Sequence, residues 1–518
     1  MTDSLTIIDL FAGAGGISRG VDRAVRNLGY TPGENVRLVA INHSEEAIET
    51  HEANIEWAET HCAKVEALHP PDVAAPNEVD LLTGGPKCTH FSRAKGGQPV
   101  KEQERASPWH MLRWIERLRP KHVLIENVGA LRSWGPVRDG EPTRDGSIYE
   151  RYIELLQALG YTVIQDDKGR YGIKLRAADY GDPTTRQRLF VIASRTQRPT
   201  APAPTHSDDP NDDLADWVPA SSVINWDNLG ESLFARSRPL GAKTMDRIAR
   251  GIRDYCDDRL EPYARALERF KQEDIRELQE EIVSTADLPG ALESRSGPVL
   301  VEGRVAEVDD EAVPTRLVMG QHGGAIPRDA DVEPVPTVTT TGAIHSIEAQ
   351  PFVLPRDGSK RGKYSNPAYR AEERPFHTVT AKNHDGRLVT PFFVQYNGVP
   401  KYSAKSVDDP LPTLSTRARY ALCIPACYPY GLGLRYRMLD PPETKQAQGF
   451  PADYTITGDT LKERRKQIGN AVPVGLATAL VEHILAAETP SLSTYGGGLA
   501  LDPEAEVPPY EEVTADDD

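Results

Sequence analysis
The chain is expected to fold as a doubly wound, Rossmann-like α/β domain with a β-rich domain inserted in it. Three observations lead there. Between residues 5 and 130, short apolar runs alternate with stretches of helical periodicity, the pattern of βαβ units on a parallel sheet. Two glycine-rich turns, Phe11-Ala-Gly-Ala-Gly-Gly16 and Gly84-Gly-Pro86, each follow an apolar run directly. An open α/β sheet gathers its chemistry at such carboxyl strand ends. The alternation then stops at the proline-rich stretch 198–205 and gives way over 290–430 to short strand-like runs and polar turns.

Taken in order, Leu5–Leu10 is apolar and β-branched and reads as the first strand, with Ile17–Leu28 as the helix after its turn. Val36–Ile41 is a second strand, followed by a helix from Glu45 to about Asn54. Asp80–Thr83 is a short strand stopped by Gly84, Gly85 and Pro86. Trp109–Leu118 is an amphipathic helix and His122–Glu126 a further strand. A helix at Ile148–Leu159 and strands near Tyr161–Gln165 and Leu189–Ala193 complete this part. Beyond the proline-rich linker, Thr244–Tyr255 and Pro262–Ile282 have helical spacing.

A degenerate repeat follows: Pro334–Thr339, Pro375–Thr380 and Pro410–Ser415, each trailed some residues later by Pro351, Pro391 or Pro425. Each copy reads as a strand, a polar turn and a second strand. Helical apolar periodicity returns at Val474–Leu485. The expected organisation is a catalytic domain over 1–198, completed by 455–488, and a recognition domain over 199–454. An acidic tail at 489–518, rich in Pro and Gly, lacks the pattern of a packed core.

With 518 residues the chain has material for two or three cores. Its net charge of -17 is awkward for a partner of nucleic acid, because phosphate contacts need Lys and Arg. Part of the acid is concentrated in Asp502–Asp518 and around Asp274–Glu281, and arginine outnumbers lysine, which suits bidentate contacts. No uninterrupted apolar run long enough for a membrane span occurs, and the first residues lack a charged leader, so a cytoplasmic location is expected. Five scattered cysteines match neither a disulfide framework nor zinc-ligand spacing, so no metal is expected.

Four constellations carry chemistry. The first is Val79–Ser92, where the Gly84-Gly85-Pro86 turn delivers Cys88 with Lys87 beside it and His90 two residues on. Nearby cations favour the nucleophilic thiolate. The second is Asp9–Gly16, a turn on which backbone N–H groups can approach a nucleoside; it lacks the full dinucleotide pattern, so a nucleoside without pyrophosphate is the more natural guest. The third is Glu126, a carboxylate ending an apolar strand and a candidate proton donor. The fourth is Asp182–Phe190, which sets Arg186 and Arg188 on one face of an entering strand. Within the repeats, Lys382, Asn383, His384, Arg387, Arg417 and Arg419 occupy turns, where basic and amide side chains suit phosphates and base edges.

In order, Asp9–Gly16, Gly84–Ser92, Glu126-Asn-Val128, Arg186-x-Arg188, Gln448-Gly-Phe-Pro451 and Gly469-Asn-Ala-Val-Pro473 resemble the signature motifs of the DNA (cytosine-5)-methyltransferases. The likeness covers about 1–195 and 435–487. It implies an S-adenosylmethionine-dependent methyltransferase domain with an inserted target-recognition domain, acting on double-stranded DNA. It implies Cys88 as nucleophile toward C6 of a flipped-out cytosine, Glu126 at N3, Arg188 at the cytosine carbonyl and Arg186 ordering the site. The donor pocket would be formed by Asp9, Phe11, Ala12, Gly13, Gly15, Gly16, Asn42, His43, Pro86, Lys87, Asn470 and Val472. Ser92, Arg93 and Lys95 would lie on the loop closing over the base, while Lys382, Asn383, Arg387, Arg417 and Arg419 would read the duplex. A monomer, with or without a cognate restriction endonuclease, is the expected state.

Several positions depart from the family pattern. Lys87 stands where proline usually precedes the cysteine, Asn42 where an acidic residue usually grips the ribose, Lys64 where another acid is usual, Thr184 for Gln and Gln446 for Arg. Lys87 raises a sharper alternative, a donor bearing an extra carboxylate and a carboxymethylated cytosine product. A tRNA cytosine-5 methyltransferase and an inactive DNA-binding module are the remaining alternatives. The long repeated region 199–434 argues against the first, and intact Cys88, Glu126 and Arg188 against the second. Asp440-Pro-Pro-Glu443 lacks the aromatic residue of an amino-methyltransferase motif.

Overall fold
The computed structural model describes residues 4–86, 107–138, 141–255 and 431–486. Between them it describes the shorter stretches 264–265, 267–268, 299–301, 304–306, 317–318, 328–329, 352–355, 369–370, 386–388, 392–395, 404–414, 416 and 420–428. The first sheet is built from β1 (Leu5–Leu10), β2 (Val36–Asn42), β3 (Glu59–Cys62), β4 (Leu81–Gly84) and β5 (His122–Asn127), all parallel. Three further strands, β6 (Thr162–Val163), β7 (Ile173–Arg176) and β8 (Gln187–Ser194), complete it. Their order is β3-β2-β1-β4-β5-β8-β6, with β7 also on β8. β8 runs antiparallel to β5.

The chain winds outward from β1 to β3 and then returns to the other side of β1 at β4. That reversal opens a crevice at the carboxyl ends of β1 and β4, the place where open α/β sheets bind ligands. Strands buried on both faces tend to be apolar, as β1 largely is and as the Val123–Ile125 centre of β5 is. Helices α1 (Gly16–Asn27) and α2 (Glu45–Glu52) follow β1 and β2, while α3 (Ser107–Leu118) and α4 (Ser147–Ala158) flank β5. Trp114, Ile115, Leu118, Ile153 and Leu156 fill one face of the sheet. Val21, Ala24 and Val25 fill the other, together with Leu476, Leu480 and Ile484 from far along the chain.

Most elements lie within a residue or two of their predicted bounds. β3 and β7 were not predicted. β3 is Glu-Thr-His-Cys, whose half-exposed edge carries no apolar run to betray it. Most of the helix expected over 262–282 lies outside the described residues.

The second sheet has seven described strands. They include β9 (Glu231–Ser232), β10 (Val299–Val301) and β11 (Arg304–Ala306). The others are β12 (Phe392–Gln395), β13 (Ala404–Ser406), β14 (Tyr420–Tyr428) and β15 (Gly431–Met438). Helix α5 (Ala242–Tyr255) presses Met245, Ile248, Ala249 and Ile252 onto its face. A Cβ at Gly251 would come within 1.9 Å of the Phe392 ring, so glycine permits this approach.

One expectation about the repeat is corrected. In the third copy the first half, Pro410–Leu414, is no strand of this sheet; it forms an isolated parallel bridge from Leu411 to Thr184. Two prolines in five residues remove the donors a sheet ladder needs. Pro425 does lie within a strand, paired with Leu434, but beyond the stretch of β14 that pairs with β12.

The chain then returns to the first sheet through α6 (Pro441–Ala447), α7 (Leu461–Asn470) and α8 (Val474–Ala486). Residues 461–486 are long and apolar enough by composition alone to cross a membrane, but α8 is mostly buried against α1 and the sheet, as a core helix is. α1 meets α8 through small residues: a Cβ at Gly20 would lie 2.6 Å from that of Ala477, and one at Gly16 only 2.1 Å from the Val472 carbonyl oxygen.

Asp182 fastens this return. Its two carboxylate oxygens accept N–H groups of Gly475 and Leu476 at 2.8 and 2.9 Å, satisfying the open amino end of α8. Burial pushes the Asp182 carboxyl from 3.8 to about 7, against the pull of those two bonds. A carboxyl whose folded value is raised favours the fold most below its unfolded value, and that contribution is lost as pH rises through the folded one. The unfolding free energy of the wild type is therefore expected to decline between pH 5 and 7, by up to about 1.4 kcal/mol per pH unit for this group. Asp182→Asn should flatten that slope in urea titrations; an equal slope in the variant would refute the assignment.

Candidate active site
β1, β2, β5 and β8 bring Asp9, Asn42, Glu126 and Arg188 toward the crevice, while β4 brings glycines. Asp9 is the penultimate residue of β1, which turns over Phe11, whose φ of 62° is left-handed, a conformation non-glycine residues rarely hold outside functional turns. Gly13 and Gly15 continue the turn at φ 55° and 80°. A Cβ at Gly15 would strike the Tyr454 hydroxyl at 2.5 Å, and Tyr454 in turn donates to the Ala14 carbonyl at 2.9 Å. Ala12 donates its N–H to Ile41 at the end of β2, drawing the turn over the sheet. Gly16 and buried Val472 pack on one another beneath it.

Asn42 ends β2, and its side-chain oxygen accepts the Ser44 N–H at 2.9 Å, fixing the turn into α2. His43 beside it is exposed, and Asn470 is exposed at the end of α7. Gly84 ends β4, where a Cβ would lie 2.4 Å from the Leu10 carbonyl oxygen. Next to it Gly85 leaves room for Glu126: a Cβ there would be 3.2 Å from Glu126 Oε2.

The antiparallel run of β8 brings its beginning to the end of β5, so that Leu189 faces Asn127 and Phe190 faces Glu126. Glu126 and Arg188 thereby meet on one face, Arg188 Nε lying 3.1 Å from Glu126 Oε1. Oε1 has no directed hydrogen bond, so this is ionic contact alone. Arg188 is partly exposed, and its Nη1 donates to the Gln187 carbonyl at 2.8 Å.

Arg186 is placed differently. It is 3% exposed, and Nη1 donates to the carbonyls of Leu414 and Gly469 at 3.1 and 2.9 Å. Burial, and then repulsion from Arg188, lower its pKa to about 9, with Glu126 opposing. Arg186 thus ties three distant segments at one point. Thr185 N–H to Leu411 and Leu411 N–H to Pro183 complete the seam.

The sequence motif that holds Asn127 assigns it no role. Its amide donates to the Pro86 carbonyl at 3.2 Å, holding the turn that leads into Lys87 and Cys88. Lys87, Cys88, Ser92, Arg93 and Lys95 lie outside the described residues, as do Lys382, Asn383, Arg417, Arg419 and the side chain of Arg387. Among the described residues, no cluster suited to a metal occurs.

A cationic nucleoside fits what the crevice offers. Asp9 Oδ1 and Thr83 Oγ1, neighbours on one sheet face by the register of β1 and β4, are both buried without a partner. Burial raises the Asp9 carboxyl to about 7, opposed by bonds from Ser18. Bare glycines border the same edge. Buried acceptors of this kind are costly unless a ligand satisfies them.

Fold and edge together define the doubly wound, Rossmann-like α/β class found in S-adenosylmethionine-dependent methyltransferases, here with a separate β-rich insertion. The model of the C-5 cytosine-specific DNA methylases matches residues 5–486, and the chain belongs to that family. The Type II methyltransferase M.AgeI of Thalassovita gelatinovora is 31% identical over 206 residues, 38% of this chain and 42% of that protein. M.XorII of Xanthomonas oryzae pv. oryzae is 29% identical over 254 residues, 48% and 54% of the two chains. The chain thus spans about half the length of the curated relatives it matches.

Arg186→Met should destabilise the protein by on the order of 3 kcal/mol, because two buried carbonyls lose their donor. Arg188→Met, at a partly exposed position, should cost clearly less. Urea midpoints for the two variants test this, and equal losses would refute the distinction.

Proposed function
We propose that the protein transfers a methyl group from S-adenosylmethionine to C5 of a cytosine swung out of duplex DNA. The observation that carries this reading is the meeting of Glu126 and Arg188 beside Gly85, with Asn127 holding Pro86 two residues before Cys88. Six motifs in family order, and the family match over residues 5–486, support it.

Cytosine C5 is a poor nucleophile. In the proposed route, the Cys88 thiolate adds to C6 while Glu126 supplies a proton to N3, which moves electron density to C5. The donor, when bound, supplies an electrophilic methyl on a positively charged sulfur. Once C5 carries the methyl, its proton passes to solvent, the C6–S bond breaks to expel the thiolate, N3 returns its proton to Glu126 and aromaticity is restored. Arg188 orients Glu126 by ionic contact and offers its guanidinium to the cytosine carbonyl. Asn127 presets the turn bearing the nucleophile. Asp9, Phe11, Ala12, Gly13, Gly15, Gly16, Asn42, His43, Pro86, Lys87, Asn470 and Val472 border the donor's place. The loop residues Ser92, Arg93 and Lys95 exclude water over the flipped base, and Lys382, Asn383, Arg387, Arg417 and Arg419 contact the duplex.

A duplex carrying 5-fluorocytosine at the target should become covalently attached to the wild type in the presence of donor, because fluorine cannot leave as the C5 proton does. Cys88→Ala should show no such species on denaturing gels, and Arg188→Lys should form it at least about tenfold more slowly. Attachment that persists in Cys88→Ala would overturn the assignment.

Lys87 favours a second reading. An ammonium next to the nucleophile suits a donor whose transferred carbon bears a carboxylate. Nucleoside mass spectrometry of DNA treated with each donor should then show 5-carboxymethylcytosine, and Lys87→Pro should shift the preference toward methyl. Only 5-methylcytosine, with no effect of Lys87→Pro, would dispose of this reading.

A further inference from the structure
Behind the glycine-rich turn lies a chain of three buried side chains from three elements. Asp9 of β1, Ser18 of α1 and His51 of α2 are 1%, 0% and 0% exposed. Ser18 Oγ is 2.6 Å from Asp9 Oδ2 and 3.1 Å from His51 Nε2, and His51 Nδ1 is 3.0 Å from the Ala47 carbonyl oxygen.

Counting protons constrains this chain. A carbonyl only accepts, so Nδ1 carries hydrogen and Nε2 of a neutral imidazole is an acceptor. Ser18 has one hydroxyl hydrogen for two neighbours. With Asp9 ionised and His51 neutral, that hydrogen can serve only one of them, and two lone pairs confront each other on the opposite side. Both neighbours are satisfied if one more proton is present. It sits on Asp9, which then donates to Ser18 while Ser18 donates to His51, or on His51 as an imidazolium. Burial opposes both charges: it raises the Asp9 carboxyl and lowers the His51 imidazole. The neutral arrangement, with the proton on Asp9, is the one burial favours.

The surrounding groups do not change this assignment. On α1, Arg19 and Asp22 are paired with each other at 2.7 Å. Burial pushes the Tyr454 phenol far above its ordinary range, so it stays neutral. Glu52 of α2 favours the imidazolium, but less than burial opposes it. From β4 the neighbour is Thr83, which does not titrate.

We propose that Asp9, Ser18 and His51 form a one-proton site linked to the donor: the proton is held while the crevice is empty and released when a cationic donor settles against Asp9. This rests on S-adenosylmethionine being the donor that the crevice takes. On release the Asp9 O–H bond breaks and the proton passes to solvent. The Ser18 hydroxyl turns from His51 Nε2 to Asp9 Oδ2, and the new carboxylate balances the donor's positive charge. In the empty protein the proton is retained because its departure would cost His51 Nε2 its hydrogen bond.

Calorimetric titration of the full chain with S-adenosylmethionine, at fixed pH in two buffers of different ionisation enthalpy, counts the protons released. Close to one per site is expected at pH 6, fading by pH 8.5, with affinity weakening about tenfold per pH unit below neutrality by linkage. S-adenosylhomocysteine, whose sulfur is neutral but whose amino group remains, separates the two cations of the donor. Release with both ligands points to the ammonium, and release with the first alone to the sulfonium; either supports the proposal.

Asp9→Asn should show no release. His51→Gln, whose amide can donate to Ser18 without an added proton, should release less than half as much at pH 6. Binding by the wild type without proton release, or unchanged release in either variant, would overturn the inference while leaving the donor assignment intact. Absence of any binding at every pH would instead overturn the donor assignment, and this inference with it.

Discussion
The antiparallel pairing of β8 with β5 is the constraint on which the site depends. A parallel neighbour would bring its own carboxyl end beside Glu126. An antiparallel one brings its beginning, where Arg188 lies in β8 and Arg186 just before it. The two arginines are two residues apart in sequence, yet they serve different ends. Arg188 meets a carboxylate at the mouth of the cleft, whereas Arg186 turns inward to two carbonyls from segments more than two hundred residues away.

That inward turn explains how a chain interrupted by a long insertion closes on itself. Pro183–Arg186 is joined on one side to Leu411–Leu414 and on the other, through Asp182 and Arg186, to the start of α8 and the end of α7. The bonds of Arg186 and that of Leu476 to Asp182 are buried, so each is costly to break without replacement. The seam therefore holds the beginning of β8 rigidly, and through it the position of Arg188. The glycines play the complementary part by omission: Gly16, Gly20 and Gly84 allow backbones to approach closer than any Cβ permits.

Charge is managed locally rather than by overall balance. A chain with net charge -17 keeps Glu126 beside Arg188, Asp22 between Arg19 and Arg26, and Arg437 bonded to Glu443 in the interior. At Asp9 and Asp182 burial outweighs the opposing hydrogen bonds, and at Asp182 the pull of Arg23 as well, so both answer it by raised proton affinity.

Much of this was legible in the order of residues. Period-two and period-3.6 apolar patterns are local properties, so β1, β2, β4, β5 and the helices between them could be read directly, as could the motifs ending those strands. β3 and β7 could not, because short half-exposed edge strands owe their form to the neighbour they pair with. The same holds for the functional groups. Glu126 and Arg188 were recognisable as types at telling positions, but their meeting depends on strand direction. Arg186 was recognisable as a companion of Arg188, but the two carbonyls it holds come from segments far along the chain. Ser18, His51 and the clamp of Asn127 on Pro86 carried no sequence signal, since each is defined by a partner on another element, and only packing sets those distances.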